Sequence, residues 1–165
     1  MAQHTARVRW DRAGARFTDN RYSRAHEWAF DGGLTLPASA SPDVVPPPLS
    51  DPRGLDPEEA LVAALSSCHM LWFLSIAAKR GFVVDSYVDG AVGHLERDDE
   101  GRVAMTRVIL RPEILFSGPV APAARAVEQM HEEAHRACFI ANSVRAAVTV
   151  EPPADAGQPA PDLVG

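Results

Sequence analysis

The strongest pattern along the chain is the apolar stretch that runs from Asp56 to Gly81, DPEEALVAALSSCHMLWFLSIAAKRG. Asp56 reads as an N-cap, Pro57 occupies the first helical position, and Glu59 stands three residues after the cap, where a carboxylate can reach back to the cap's own N–H. Gly81 supplies the stop, because a residue without Cβ closes a helix in the left-handed conformation. At 3.6 residues per turn, Leu61, Leu65, Trp72 and Ile76 fall on one side, while Val62, Met70 and Phe73 fall on others. A helix apolar nearly all round expects cover on several faces, and in a small domain that points to a second subunit.

Strand periodicity surrounds this helix. ARVRW and HEWAFDGG, near the start, are short strand-like runs able to pair as a hairpin or as two edge strands. Phe82 to Arg97 and Arg102 to Phe116 read as two long strands joined by DDEG, with Val108, Leu110, Ile114 and Phe116 alternating against Arg107, Arg111 and Glu113. A second helix is expected over Ala121 to Ala141, with Val127, Met130, Ala134, Cys138 and Ala141 on one stripe and Asn142 as a left-handed cap. VRAAVTV then forms a last strand.

Between the first strands and the first helix, Leu36 to Leu55 carries prolines that fix φ and remove N–H donors, so an extended loop without regular structure is expected. The Pro- and Ala-rich end, residues 152–165, reads as a disordered tail. The whole is one α+β domain over residues 1–151, with antiparallel sheets packed against two main helices.

Composition narrows the function. The chain has 165 residues and a formal charge of −6, with Lys and Arg spread along it, so the basic stripe of a nucleic-acid binder is missing. MAQHTARVRW has no apolar core of a signal peptide, and Ser66, Ser67, His69 and Ser75 interrupt the longest apolar run. A soluble, cytoplasmic protein without nucleic-acid or membrane partners is the expectation.

Two cysteines, Cys68 and Cys138, are the only ones in the chain, and each sits within a helical apolar stretch. Three readings stand side by side. Free cysteine behaves as a small hydrophobe, and periodicity alone favours two core thiols. In a reducing compartment a disulfide is more often transient and catalytic than structural, which gives the redox reading. A mixed metal site would draw on Cys138 with His131 and His135 of HEEAH, and on Cys68 and His69. HEEAH also matches the zinc-peptidase pattern, but it is short and no third ligand pattern follows it.

Whole segments carry more than single residues. DPEEALVAALSSCHM, a hairpin, and then HRACFIANSV on a second helix together resemble the OsmC/Ohr family, the osmotically inducible proteins C and the organic hydroperoxide resistance proteins. The resemblance extends over roughly Tyr22 to Pro152 and is closest to the OsmC-like branch, through YSRAHEWAFDGG and SSCHM.

The resemblance implies an intertwined homodimer of OsmC-like fold that reduces organic hydroperoxides, with its active sites at the subunit interface. Cys68 would attack as thiolate and Cys138 would resolve the sulfenic acid to a disulfide. A dithiol, of lipoyl type in this family, would recycle it. No metal, flavin or haem is implied, because sulfur carries the chemistry. A thiolate in apolar surroundings needs a compensating cation, for which Arg24 is the first candidate, with Arg21 and Arg53 behind it. The family's acidic partner maps to Glu58, about 15 Å along the helix axis from Cys68, so it would serve Cys68 from the other subunit. The alternatives are an OsmC-fold redox sensor or binding protein without efficient turnover, and a Cys/His metal-binding protein. Trp72, Phe73, Met70 and Phe139 flank the cysteines as candidates for an apolar pocket; His69 points away from Cys68 and is expected to pack or bond elsewhere.

Overall fold

The structure, a computed structural model, describes residues 1–151; the expected tail, 152–165, lies outside them. The chain divides into two compact units, Met1–Ala60 and the part from Leu61 onward.

In the first unit, β1 (Ala6–Arg9), β2 (His26–Phe30) and β3 (Thr35–Ala38) form an antiparallel sheet in the order β1-β2-β3. The two N-terminal runs do pair, Ala6 opposite Phe30 and Arg9 opposite Glu27, but across a long connection rather than a tight turn. β3 corrects the expectation of an irregular chain from Leu36. Pro37 is tolerated because β3 is an edge strand, where a missing N–H costs no ladder bond. Its carbonyl instead accepts from the Leu55 N–H at 3.0 Å, and the Ser39 N–H donates to the Leu55 carbonyl at 3.0 Å. The proline-rich segment is therefore closed at its base. Gly54 sits so tightly there that a Cβ would come within 2.9 Å of the Ala38 carbonyl carbon.

Helix α1 (Pro57–Lys79) begins and ends as its sequence dictates. The Glu59 N–H donates to Asp56 Oδ1 at 2.7 Å, and the Asp56 N–H donates to Glu59 Oε2 at 3.2 Å. At the other end, Gly81 takes φ +80°, its N–H reaches the Ala78 carbonyl, and the Phe82 N–H reaches the Ala77 carbonyl, both at 3.0 Å. Within the single chain one face is sealed. Leu65, His69, Phe73 and Ala77, spaced four apart, form the fully buried stripe, while Leu71 stays 62% exposed. The helix is long and apolar enough to cross a membrane by length and composition, and its buried stripe is packed inside the protein.

The unit from Leu61 onward surrounds α1 with two small sheets. The long hairpin is split into β4 (Val83–Asp89), β5 (Val92–Arg97), β6 (Val103–Leu110) and β7 (Pro112–Ser117). β4 pairs antiparallel with β7 and β5 with β6, so the path is that of one hairpin, but Pro112 and Gly90 break it into two sheets. Asp89 fixes the break by accepting from the Arg111 N–H at 2.7 Å and the Ser66 hydroxyl at 2.5 Å. The last strand, β8 (Ala147–Val150), joins β6 in parallel after the crossover through α2 (Ala124–Ala137).

α2 is shorter than the expected 121–141. Cys138 adopts an extended backbone (φ −66°, ψ 112°) and ends it, and Ala141–Ser143 form a 3-10 turn. Asn142 is not a left-handed cap; its side-chain amide caps instead, donating to the Arg136 carbonyl at 3.0 Å.

Two cores result. Leu65, Val108 and Leu110 anchor one between the first part of α1 and the β5-β6-β8 sheet; Phe73, Ala77, Met130 and Ala134 anchor the other between α1, α2 and the β4-β7 sheet. Cys68 and His69 lie on α1 between them. His69, only 1% exposed, shares a hydrogen bond with His131 of α2, Nε2 to Nδ1 at 3.0 Å, with the rings nearly parallel.

Both rings are held neutral, each pKa lowered to about 4: burial is the main cause for both, with repulsion from His131 and then His135 adding for His69. The folded state therefore binds fewer protons than the unfolded chain below about pH 6.5, and stability falls with pH through the window from about 6.5 to 4. Unfolding free energies from urea titrations across that window are expected to drop by at most about 1.4 kcal/mol per pH unit for each histidine. The drop should flatten when both are replaced by leucine. Asp56→Ala is expected to cost about 1 kcal/mol in the same assay, through loss of the cap.

Candidate active site

Cys68 is half-buried near the middle of α1, and Cys138 is fully buried at the end of α2. Their positions follow from local structure: α1 is fixed at both ends by its caps, and the extended backbone at Cys138 turns the chain back into the core. The two side chains are near neighbours, close enough for the Cys68 thiol to act on the Cys138 thiol electrostatically. Neither is in a disulfide.

The two sulfurs have different surroundings. Burial pushes the Cys138 thiol up from its ordinary pKa, against the opposing effect of the Ala141 N–H that donates to its Sγ at 3.4 Å, and the Cys68 thiol raises it further. Cys138 is thus held protonated at neutral pH, while Cys68 is the sulfur with access to solvent.

An aromatic pair stands beside them. Trp72, one turn beyond Cys68, meets the ring of Phe139, the residue after Cys138, edge-on with centroids 5.5 Å apart. Phe139 is 69% exposed, so an apolar surface opens toward solvent next to the thiols. Phe73, by contrast, is a core residue.

The other candidates belong to the unit Met1–Ala60. Arg24 is half-buried and held by its own loop: the guanidinium lies 3.9 Å from the centre of the Tyr22 ring, donates to the Tyr22 carbonyl, and donates to Asn20 Oδ1 at 2.8 Å. Arg21 is exposed. Arg53 is exposed as well and is ion-paired with Asp51 at 2.9 Å. Glu58 is half-buried on the first turn of α1, free of the capping role that Glu59 fills.

HEEAH resolves differently from its motif. His131 turns to His69, His135 is exposed, and among the described residues no three His, Cys, Asp or Glu side chains are grouped as a metal ion would require. Sequence reading missed the His69–His131 bond. The available signal was a histidine on the most apolar helix, four residues from Leu65 and four from Phe73, which needs a buried partner.

The comparisons agree with this architecture. A family model described as OsmC-like protein matches residues 50–152. A solved OsmC-like protein of unknown function from Vibrio cholerae is 56% identical, with a TM-score of 0.90 over 92% of this chain and 99% of that one. The organic hydroperoxide resistance protein OhrB of Bacillus subtilis shares the fold at 16% identity, with a TM-score of 0.62 over 92% and 97% of the two chains. An organic hydroperoxide resistance protein from Elizabethkingia anophelis does so at 16% identity and a TM-score of 0.65, over 93% and 95%. Among curated proteins there is no match. With the family model covering most of the chain and a close structural relative over nearly all of it, the protein belongs to the OsmC-like family.

Proposed function

We propose that the protein is a thiol-dependent reductase of organic hydroperoxides in which Cys68 attacks and Cys138 resolves. One observation carries the reading: the only two cysteines of the chain, one in the middle of α1 and one where α2 ends, are brought close enough together to act on one another. Membership of the OsmC-like family supports it, and so does the shared fold with organic hydroperoxide resistance proteins.

The chemistry runs in three balanced steps. Cys68, as thiolate, attacks the distal oxygen of the hydroperoxide; the O–O bond breaks, the alkoxide leaves and takes up a proton as the alcohol, and Cys68 becomes a sulfenic acid. Cys138 then gives up its proton, its sulfur bonds to that of Cys68, and water leaves. A dithiol, such as a lipoyl group, finally takes the place of the protein disulfide, becoming a disulfide itself and returning both thiols. The high pKa of Cys138 suits this order, because it keeps the resolving thiol from competing for peroxide.

Substrate class follows from the aromatic pair. An alkyl group laid against Trp72 and Phe139 gains roughly 25 cal/mol per Å² of apolar surface removed from water, which hydrogen peroxide cannot. Arg24 is the cation proposed to favour the Cys68 thiolate, and Glu58 is proposed to hold that Arg and accept the peroxide O–H. Ten residues of helix separate Glu58 from Cys68, about 15 Å. The reading therefore includes a homodimer in which Glu58 serves the Cys68 of the partner copy.

One equivalent of cumene hydroperoxide added to the reduced protein is expected to give a Cys68–Cys138 disulfide, read by mass spectrometry of the two peptides. In Cys138→Ser the same treatment should leave Cys68 as a sulfenic acid. Thiols that stay reduced for hours in the wild type would rule the reductase out, and a disulfide without multiple turnover in the presence of dithiol would make the protein a sensor. Glu58→Gln is expected to lower kcat/KM by about tenfold or more with an unchanged circular dichroism spectrum; unchanged kinetics would remove Glu58 from the site.

A further inference from the structure

We infer that the His69–His131 hydrogen bond is a positioning device for the thiol pair, fixing where the end of α2 meets α1 and so how closely Cys138 approaches Cys68. The inference rests on the reading of Cys68 and Cys138 as a redox pair, and it gives a use to a buried histidine and its half-buried partner that the peroxide chemistry leaves aside.

The placement is the first ground. His69 directly follows Cys68 on α1, and His131 stands on α2 seven residues before Cys138, the residue at which that helix ends. Each thiol is therefore tied to the other's helix through a histidine on its own. No other side-chain hydrogen bond at this level links the two helices among the described residues; the Arg80–Glu133 ion pair, at 2.7 Å, holds the far end of α1.

The second ground is what a hydrogen bond adds here. Two leucines would fill the space between Leu65, Phe73, Met130 and Ala134 without burying polar nitrogens, so stability alone does not call for imidazoles. His69 Nδ1 is in fact buried without a partner. That orphan selects the tautomer: with its proton on Nε2, His69 donates to His131 Nδ1 and leaves only an unpaired acceptor, whereas the opposite tautomer would bury an unpaired N–H. The arrangement tolerates that loss and gains direction. Ring planes 13° apart and a 3.0 Å bond define one register, where apolar packing would allow several.

Motion is the third ground. Closing the disulfide draws two neighbouring thiols to about 2.05 Å between sulfurs. The segment carrying Cys138 is free to follow, since the helix has ended, a 3-10 turn comes next, and Phe139 is mostly in solvent. The body of α2 must stay put meanwhile. His131 lies where that anchor is needed.

The test is the thiol–disulfide equilibrium of the full-length protein in mixtures of oxidised and reduced glutathione. Oxidised glutathione takes up the two electrons and two protons the thiols release, becoming two reduced molecules, and the Cys68–Cys138 disulfide is counted by mass spectrometry after acid quenching. His131→Leu is expected to lower the equilibrium constant by about five- to tenfold, and His131→Gln, whose amide oxygen can accept from His69, to restore it to within roughly twofold of wild type. Peroxide oxidation of Cys68 in a Cys138→Ser background should change by less than about twofold on adding His131→Leu, because the histidines position the couple and do not activate Cys68. Should His131→Leu not fold, His69→Leu/His131→Leu, which leaves no unpaired ring nitrogen, is read in its place with the same expectation. A folded leucine variant with an unchanged equilibrium constant overturns the inference, and so does a glutamine variant as impaired as leucine. A wild type that forms no disulfide at any glutathione ratio overturns the redox-pair reading beneath it.

Discussion

The contact of α1 with the last turns of α2 is the constraint on which the rest of the protein depends. It places one thiol against the other and one imidazole against the other, and it does so at the seam between two cores. On one side of the seam α1 packs on the β5-β6-β8 sheet, and on the other it packs on α2 and the β4-β7 sheet. A sulfur at such a seam is neither sealed in apolar packing nor loose on the surface. Cys68 keeps partial exposure while Cys138 is fully enclosed, and that asymmetry gives two chemically identical residues different surroundings.

In the proposed redox cycle the same contact would let the site change state without the fold giving way. α1 is closed at both ends by reciprocal capping and by the glycine stop, so its position is set by local bonds as well as by packing. α2 is fixed through Met130 and Ala134 and through His131, but its end at Cys138 is irregular. Rigid helix bodies with one yielding terminus suit a reaction that alternates between two thiols and a disulfide, because the displacement stays within a few residues.

Local chemistry made much of this legible in the sequence. The capping box at Asp56 and Glu59 and the stop at Gly81 are statements about neighbouring residues, and they hold; the strand alternation holds in β7 but not in β6, where Val108, Ile109 and Leu110 are buried in succession. What was not legible came from distant partners. Pro37 argued against a strand until an edge position and the Leu55 bonds accommodated it. The hairpin read as two continuous strands because nothing nearby shows that Asp89 will take the Arg111 N–H and the Ser66 hydroxyl. The second helix ran on through Cys138 by periodicity, which carries no information about a backbone that turns inward. The cysteines were found through a resemblance of whole segments; their meeting is a fact of packing. HEEAH suggested a metal because its two histidines were judged on one helix, while the partner of His131 waited on another.

The central claim, that Cys68 is a peroxide-reactive thiol built into an apolar seam, is tested most directly by stopped-flow measurement of the reduced protein consuming tert-butyl hydroperoxide and hydrogen peroxide. The expected result is a rate constant orders of magnitude above that of free cysteine, larger for the organic peroxide, and abolished in Cys68→Ser. A rate equal to that of free cysteine for both peroxides, or one that survives loss of Cys68, would contradict it.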